Sequence, residues 1–171
     1  MNVAITGASG FIGSHLSRMI EDLGHRVIFI SRTKKLKIGN GMDESTQLGP
    51  LTTAKRLAEI EDLVEITKKE GAKVLLGGKR PPGFNKGYYY EPTVFDEVKD
   101  NFTIMSQEPF GPLVPMLSFK SFDEVIERAN NHELGLSSYI CTNSMETAHK
   151  ASELMETGTV AVNTPQVALA E

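Results

Sequence analysis

Cysteine is almost missing from this chain. Cys141 is the only one in 171 residues, so no internal disulfide framework can form, and the count fits a reducing cytoplasm. Long apolar runs are missing too: none approaches the roughly 20 residues that a membrane-spanning helix needs. The opening residues, 1–10, have neither the basic region nor the apolar core of a signal peptide. The four histidines, His15, His25, His132 and His149, show no metal-ligand spacing, and with one cysteine a structural zinc site is not expected. A strong excess of one charge is also lacking. The formal net charge of -4 gives no reason to expect nucleic acid or an anionic membrane as a partner. Internal repeats and low-complexity tracts are absent. What is present is ordinary: 40% apolar and 23% charged residues, in a length that suits one globular domain.

The first third of the chain opens on a short apolar run, residues 2–6, that reads as a buried strand ending at glycines. Leu16, Met19, Ile20 and Leu23 then recur at helical spacing over 14–23, and Gly24 stops the helix. Residues 27–30 are β-branched and aromatic and read as a second strand. A helix between two such strands predicts a parallel, right-handed βαβ unit. Gly7, Gly10 and Gly13 occupy the strand-to-helix turn, where a phosphate-binding loop belongs. Glycines there permit a tight turn and a close approach of pyrophosphate to the backbone, and the helix start favours an anion. The same glycines also suit a plain tight turn without ligand.

The string from Ile5 to Gly13, including Phe11 and Ile12, resembles the extended short-chain dehydrogenases of the nucleotide-sugar epimerase family. The resemblance implies that Gly7, Gly10, Phe11, Ile12 and Gly13 line a cofactor pyrophosphate site. Arg32 follows the second strand, where a guanidinium suits the 2′-phosphate of NADP over the diol of NAD; an ordinary solvated arginine is the competing reading. The family's proton-transferring Tyr-x-x-x-Lys pair does not occur. Pro92, Thr93, Val94 and Asn143 stand four residues after the tyrosines, so epimerase or reductase chemistry of that kind is not expected.

Residues 33–51 are polar and turn-rich and read as a long ordered loop and junction. Leu57, Ile60, Leu63 and Val64 restore helical periodicity over 53–70, with Glu65 and Lys69 as an i,i+4 pair and Gly71 as the stop. Strands are predicted over 73–76, 88–95, 114–119, 138–141 and 159–163. Pro92 marks a sheet edge or a strand end. Ser121 to Glu124 is a capping box for a helix reaching about Asn131, and Asn143 to Glu146 opens a helix running to Gly158. This alternation predicts an α/β fold: a three-layer, mostly parallel, doubly wound, Rossmann-like sheet.

From about Lys35 onward the sequence resembles aldehyde dehydrogenases, especially the succinate-semialdehyde type. The strings that carry the resemblance occur in family order. They include Leu48-Gly49-Pro50-Leu51, Gly71-Ala72-Lys73-Val74, Tyr90-Glu91-Pro92-Thr93-Val94, Gln107-Glu108-Pro109-Phe110-Gly111-Pro112 and Gly158-Thr159-Val160-Ala161-Val162-Asn163. The resemblance implies a piece of the family's α/β catalytic domain. It also implies that Glu108 contacts a nicotinamide ribose and that Phe110 lies against the nicotinamide. Without a facing cofactor domain, the reading preferred for this chain is that Glu108 caps a turn and Phe110 fills core.

Aldehyde oxidation of this kind needs a thiolate nucleophile, a general base and an oxyanion hole. The family's Gly-Gln-Cys and Glu-Leu-Gly-Gly strings do not occur, and Cys141 reads as a core or half-buried strand thiol. The chain also stops short of the family's Pro-Phe-Gly-Gly string and oligomerisation tail. The expectation is one hybrid domain over 1–171: an epimerase-like βαβ unit (1–33), a junction (34–52) and an aldehyde dehydrogenase-like part (53–171). The two strands of the first unit would replace native ones in a shared sheet. Such a chain would be a catalytically incomplete chimera with at most weak NAD or NADP binding at the glycine turn. It would have no catalytic residues, no metal and no nucleic-acid or membrane partner, and its open sheet edges favour self-association. The alternatives are an NAD(P)-dependent oxidoreductase acting on aldehydes, and a structural or regulatory partner of an intact dehydrogenase.

Overall fold

The computed structural model describes residues 36–164, and the backbone of the two-residue strand β1 (Ile5–Thr6). Two compact units divide the chain. One comprises residues 30–116, and the other comprises 117–171 together with the first 29 residues.

The first unit is built on a long helix, α1 (Ala54–Lys69). Thr53 caps it by accepting the Arg56 N–H at 3.1 Å, and Lys68 and Lys69 sit in the last turn, where the helix dipole favours cations. Leu57, Ile60, Leu63, Val64 and Thr67 form its buried stripe. The stop at Gly71 is conformational, since its φ is 107° and only glycine takes that value freely. The surface pair forms one residue earlier than expected. Lys68, not Lys69, meets Glu65, at 2.7 Å and i,i+3 spacing.

Strands β2 (Lys73–Leu76), β3 (Thr93–Asp96) and β4 (Leu113–Pro115) follow, with the short helix α2 (Thr103–Ser106) between the last two. Glu70 closes the start of α2, its carboxylate accepting from the Thr103 N–H at 3.0 Å and from the Thr103 hydroxyl at 2.6 Å. β3 is the middle strand and all four of its residues are buried. Tyr88 to Glu91 are not part of it, and Pro92 stands immediately before its first residue. That placement satisfies the rule that proline cannot donate within a central strand.

In the second unit, β5 (Ser137–Ile140) lies between β1 and β6 (Thr159–Val162). Helices α3 (Phe122–Asn130) and α4 (Met145–Leu154) start at capping serines. Ser121 Oγ accepts from the Glu124 N–H and Ser144 Oγ from the Thr147 N–H, both at 3.2 Å. Glu124 reaches back to the Lys120 N–H at 2.9 Å, which closes the capping box. α4 ends at Leu154 rather than at Gly158. The amide of Asn130 bonds both the Leu154 carbonyl (2.7 Å) and the Glu156 N–H (3.0 Å), and so ends the helix from a distant point in the sequence.

A single, mostly parallel, doubly wound sheet is therefore not what the described residues form. They form two three-stranded mixed sheets, each with one parallel pair (β3–β4, β5–β6) and one antiparallel pair (β2–β3, β1–β5). The reason for β2–β3 is local. The connection over 77–92 contains no helix, and without a crossover element the chain returns antiparallel. β1 also pairs antiparallel with β5, Ile5 opposite Tyr139; the strand expected over 27–30 as its parallel partner lies outside the described residues. No helix among the described residues is long and apolar enough to cross a membrane.

Candidate functional site

The sequence offers two candidate positions, and the structure describes one. Gly7, Gly10, Phe11, Ile12, Gly13 and Arg32 lie outside the described residues, as do the helix expected over 14–23 and the strand over 27–30. Glu108 and Phe110 lie in the first unit, on the loop that leads from α2 into β4.

That loop is tight. The Phe110 N–H donates to the Glu108 carbonyl (3.1 Å), the Gly111 N–H to the Pro109 carbonyl (2.6 Å), and the Leu113 N–H to the Gly111 carbonyl (2.9 Å). Three consecutive short-range turns leave the segment few ways to rearrange. Gly111 presses on α1, because a β-carbon there would meet Ile60 Cδ1 at 2.5 Å and Ile60 Cγ1 at 2.9 Å. One turn earlier on the same helix, the Arg56 guanidinium stands over the Phe110 ring, 5.6 Å from its centroid. Arg56 is itself held by an ion pair with Glu59, whose carboxylate lies 2.8 Å from Nη1.

Phe110 does not fill core. It is 59% exposed, with the Arg56 guanidinium over the ring. An apolar ring kept in water by a stiff backbone offers a flat apolar platform. Nor does the Glu108 side chain cap the turn; only its backbone carbonyl accepts there. The carboxylate is exposed and makes no hydrogen bond or ion pair among the described residues. Residue reasoning alone missed Arg56. Its one-turn spacing from Ile60 puts both on one helix face, but nothing local announces that a loop some fifty residues later packs there.

Beyond this loop the first unit is stiffened by polar contacts. Arg80 grips Glu61 through two bonds, Nε to Oε1 at 2.6 Å and Nη2 to Oε2 at 2.8 Å, and this grip holds the Glu61 carboxyl below its usual range. Tyr90 is buried, and its phenol is pushed up to about 12, first by burial and then by the nearby carboxylates of Glu61, Glu65 and Glu91. The fully buried Thr93 hydroxyl accepts from the Gly78 N–H at 2.8 Å and donates to the Glu91 carbonyl at 2.9 Å. In the other unit, Cys141 is half-buried one residue past the end of β5. Among the described residues no group of three or more His, Cys, Asp or Glu side chains could hold a metal ion.

Comparison with known proteins is decisive on ancestry. The model of the "Aldehyde dehydrogenase family" matches residues 18–171. The chain belongs to the aldehyde dehydrogenase family. It is 40% identical over 138 residues to 3,6-anhydro-alpha-L-galactose dehydrogenase of Vibrio sp. (strain EJY3), covering 80% of this chain and 29% of that protein. It is 37% identical over 164 residues to betaine aldehyde dehydrogenase of Brucella anthropi, covering 94% of this chain and 32% of that protein. Among solved structures, the NAD+ complex of aldehyde dehydrogenase from Bacillus cereus superposes with a TM-score of 0.77 at 39% identity, over 82% of this chain and 28% of that one. Succinate-semialdehyde dehydrogenase from Burkholderia pseudomallei gives 0.77 at 31% identity, over 82% and 29%.

The chain thus spans under a third of the length of these aldehyde dehydrogenases. The family match also begins inside the segment expected to be epimerase-like. The comparisons give an epimerase-like unit no support.

Proposed function

We propose that these 171 residues carry a cofactor-facing part of an NAD(P)-dependent aldehyde dehydrogenase and not its reacting thiol or base. The observation that carries this reading is the exposed Phe110 ring, fixed by a stiff loop and flanked by the free carboxylate of Glu108. A nicotinamide needs a flat apolar surface and a ribose needs an acceptor, and this loop offers both. The residues present therefore fit a nicotinamide dinucleotide: Phe110 would take the ring and Glu108 the ribose hydroxyls. When bound, such a cofactor supplies the two-electron acceptor that aldehyde oxidation requires. Phe110 and Glu108 orient and shield; neither moves a proton or forms a bond. Cys141, half-buried beside a strand, is assigned no catalytic role.

The glycine-rich sequence Gly7, Gly10 and Gly13, with Arg32, is retained in this proposal as a second and weaker dinucleotide contact. The test is direct. The purified chain is titrated with NADH and with NADPH, and then assayed with succinic semialdehyde and NAD or NADP. Binding without turnover is expected. Turnover that survives Cys141→Ala would contradict the missing-thiol half of the reading, and absence of binding would contradict the cofactor half.

A specific observation also favours a docking role. Over residues 117–164 only Ser138, Ala151 and Ala161 are buried, while Leu136 is 77% and Met145 86% exposed. A layer with so little core suits association with another copy or with an intact dehydrogenase. Sedimentation of the pure chain, alone and mixed with a related full-length enzyme, measures it; a monomer in both samples counts against it.

A further inference from the structure

We propose that Asn40-Gly41 is a self-modification site, at which the Asn40 carboxamide closes on the Gly41 backbone nitrogen and is then converted by water to an acid. The site lies in the loop before α1 and is independent of any cofactor.

The pair is the only Asn-Gly step in the sequence. It stands at a loop tip: Asn40, Gly41 and Met42 are all exposed, Met42 at 91%. The Asp43 N–H donates to the Asn40 carbonyl at 3.0 Å and closes the turn, and the Met42 N–H donates to Asn40 Oδ1, also at 3.0 Å. The second bond folds the carboxamide back along the chain, and the Gly41 nitrogen belongs to the ring that this bond closes. The Gly41 N–H itself makes no hydrogen bond among the described residues. A β-carbon on Gly41 would meet nothing within 4 Å, and its φ lies outside the left-handed region. The fold therefore does not require glycine here, and the missing side chain leaves the approach to the carboxamide open. The other described asparagines lack this combination. The residues after Asn101, Asn130, Asn131 and Asn143 donate their N–H groups within the fold, and the Asn163 carboxamide is bonded at both ends to Thr142. Asn85 precedes Lys86, whose β-carbon crowds the same approach.

The atoms balance with water as the only reactant. The deprotonated Gly41 nitrogen attacks Asn40 Cγ, the charge that develops on Oδ1 faces the Met42 N–H, and ammonia leaves a cyclic succinimide. Water then opens either carbonyl of that ring, giving aspartate or isoaspartate. Both products add a negative charge close to Asp43 and Glu44. Isoaspartate also routes the backbone through the side-chain carbon, which lengthens the chain inside the turn and undoes its two bonds.

The full chain is held folded at mildly alkaline pH, sampled over days and digested, and the peptide carrying Asn40 is read by mass spectrometry. Isoaspartate is scored by enzymatic methylation of its carboxyl group. Conversion is expected at Asn40 ahead of every other described asparagine, faster at higher pH, with an oxygen taken from heavy-oxygen water. Its rate should lie within about tenfold of that of the free peptide 38–55, which is about 1.4 kcal/mol of barrier. Gly41→Ala should keep the native circular dichroism and urea midpoint and slow conversion by about tenfold or more. Asn40→Gln, a second variant, should stay amidated. In the isoaspartate fraction the Met42 and Asp43 amides should exchange hydrogen faster. A folded chain whose Asn40 stays intact while the free peptide converts overturns the proposal, as does a Gly41→Ala chain that converts as fast as the native one. Unchanged exchange at Met42 and Asp43 overturns the opening of the turn.

Discussion

Ile60 occupies the space that a β-carbon on Gly111 would need, with Cδ1 2.5 Å from that position. The helix that carries Ile60 also carries Arg56, which stands over the neighbouring Phe110. One helix face therefore fixes both the backbone of the loop and the ring that the loop presents. Gly111→Ala should destabilise the chain by about 1–3 kcal/mol, the range for overpacking a well-filled site. Adding Ile60→Val should return part of that loss. Urea midpoints of the two single variants and the double variant measure it, and strictly additive losses would contradict the contact.

Phenylalanines at two positions should behave oppositely. Phe95 is fully buried in the middle strand and Phe110 is 59% exposed. Phe95→Ala should cost about 3–5 kcal/mol, while Phe110→Ala should stay within about 0.5 kcal/mol. Urea unfolding of each variant checks this. A large loss at Phe110 would show that the ring belongs to the core after all.

The Thr93 hydroxyl is a two-way link between segments on either side of a long loop. Thr93→Val leaves the Gly78 N–H without its acceptor, which should cost about 1–3 kcal/mol. Thr93→Ser keeps the hydroxyl and should cost less. Thermal unfolding of the pair decides it, and equal stability of the two variants would contradict the role.

Tyr90 should make stability fall at high pH. Its phenol is pushed from 10.0 to about 12 in the folded chain, chiefly by burial. Between these values the unfolded chain releases a proton that the folded chain keeps, so the unfolded state binds fewer protons and stability drops as pH rises. The contribution is fully present below about pH 10 and is lost as pH rises towards 12. Tyr90→Phe should flatten that part of the profile, as followed by urea unfolding across the alkaline range. Glu61 works in the other direction. Its carboxyl is held low by the Arg80 bonds, so its contribution is present above the ordinary carboxylate range and is lost as pH falls through its folded value. Glu61→Gln should remove that acid-side slope.

Helix starts were legible because their signals are short-range. Ser121 caps where the capping box put it, and the signature expected from Asn143 falls one residue before the observed cap, Ser144. Helix ends and strand directions depend on distant groups. The end of α4 is set by Asn130, more than twenty residues upstream. The direction of β3 against β2 is set by the absence of a helix in the connection over 77–92. The two candidate residues Glu108 and Phe110 were visible through the family string, but the outward turn of Phe110 was not. An apolar residue reads as core until the structure shows Arg56 and Ile60 holding its loop from another element. The family itself was legible over most of the chain, whereas the border proposed near residue 33 was not supported, since the family match continues back to residue 18.

The central claim is that Phe110 is a platform for a nicotinamide ring. NADH titrated into the native chain and into Phe110→Ala, with both shown to be equally folded, tests it most directly. The account predicts a saturable change in nicotinamide fluorescence with the native chain and its loss in the variant. Superimposable curves for the two proteins would contradict it.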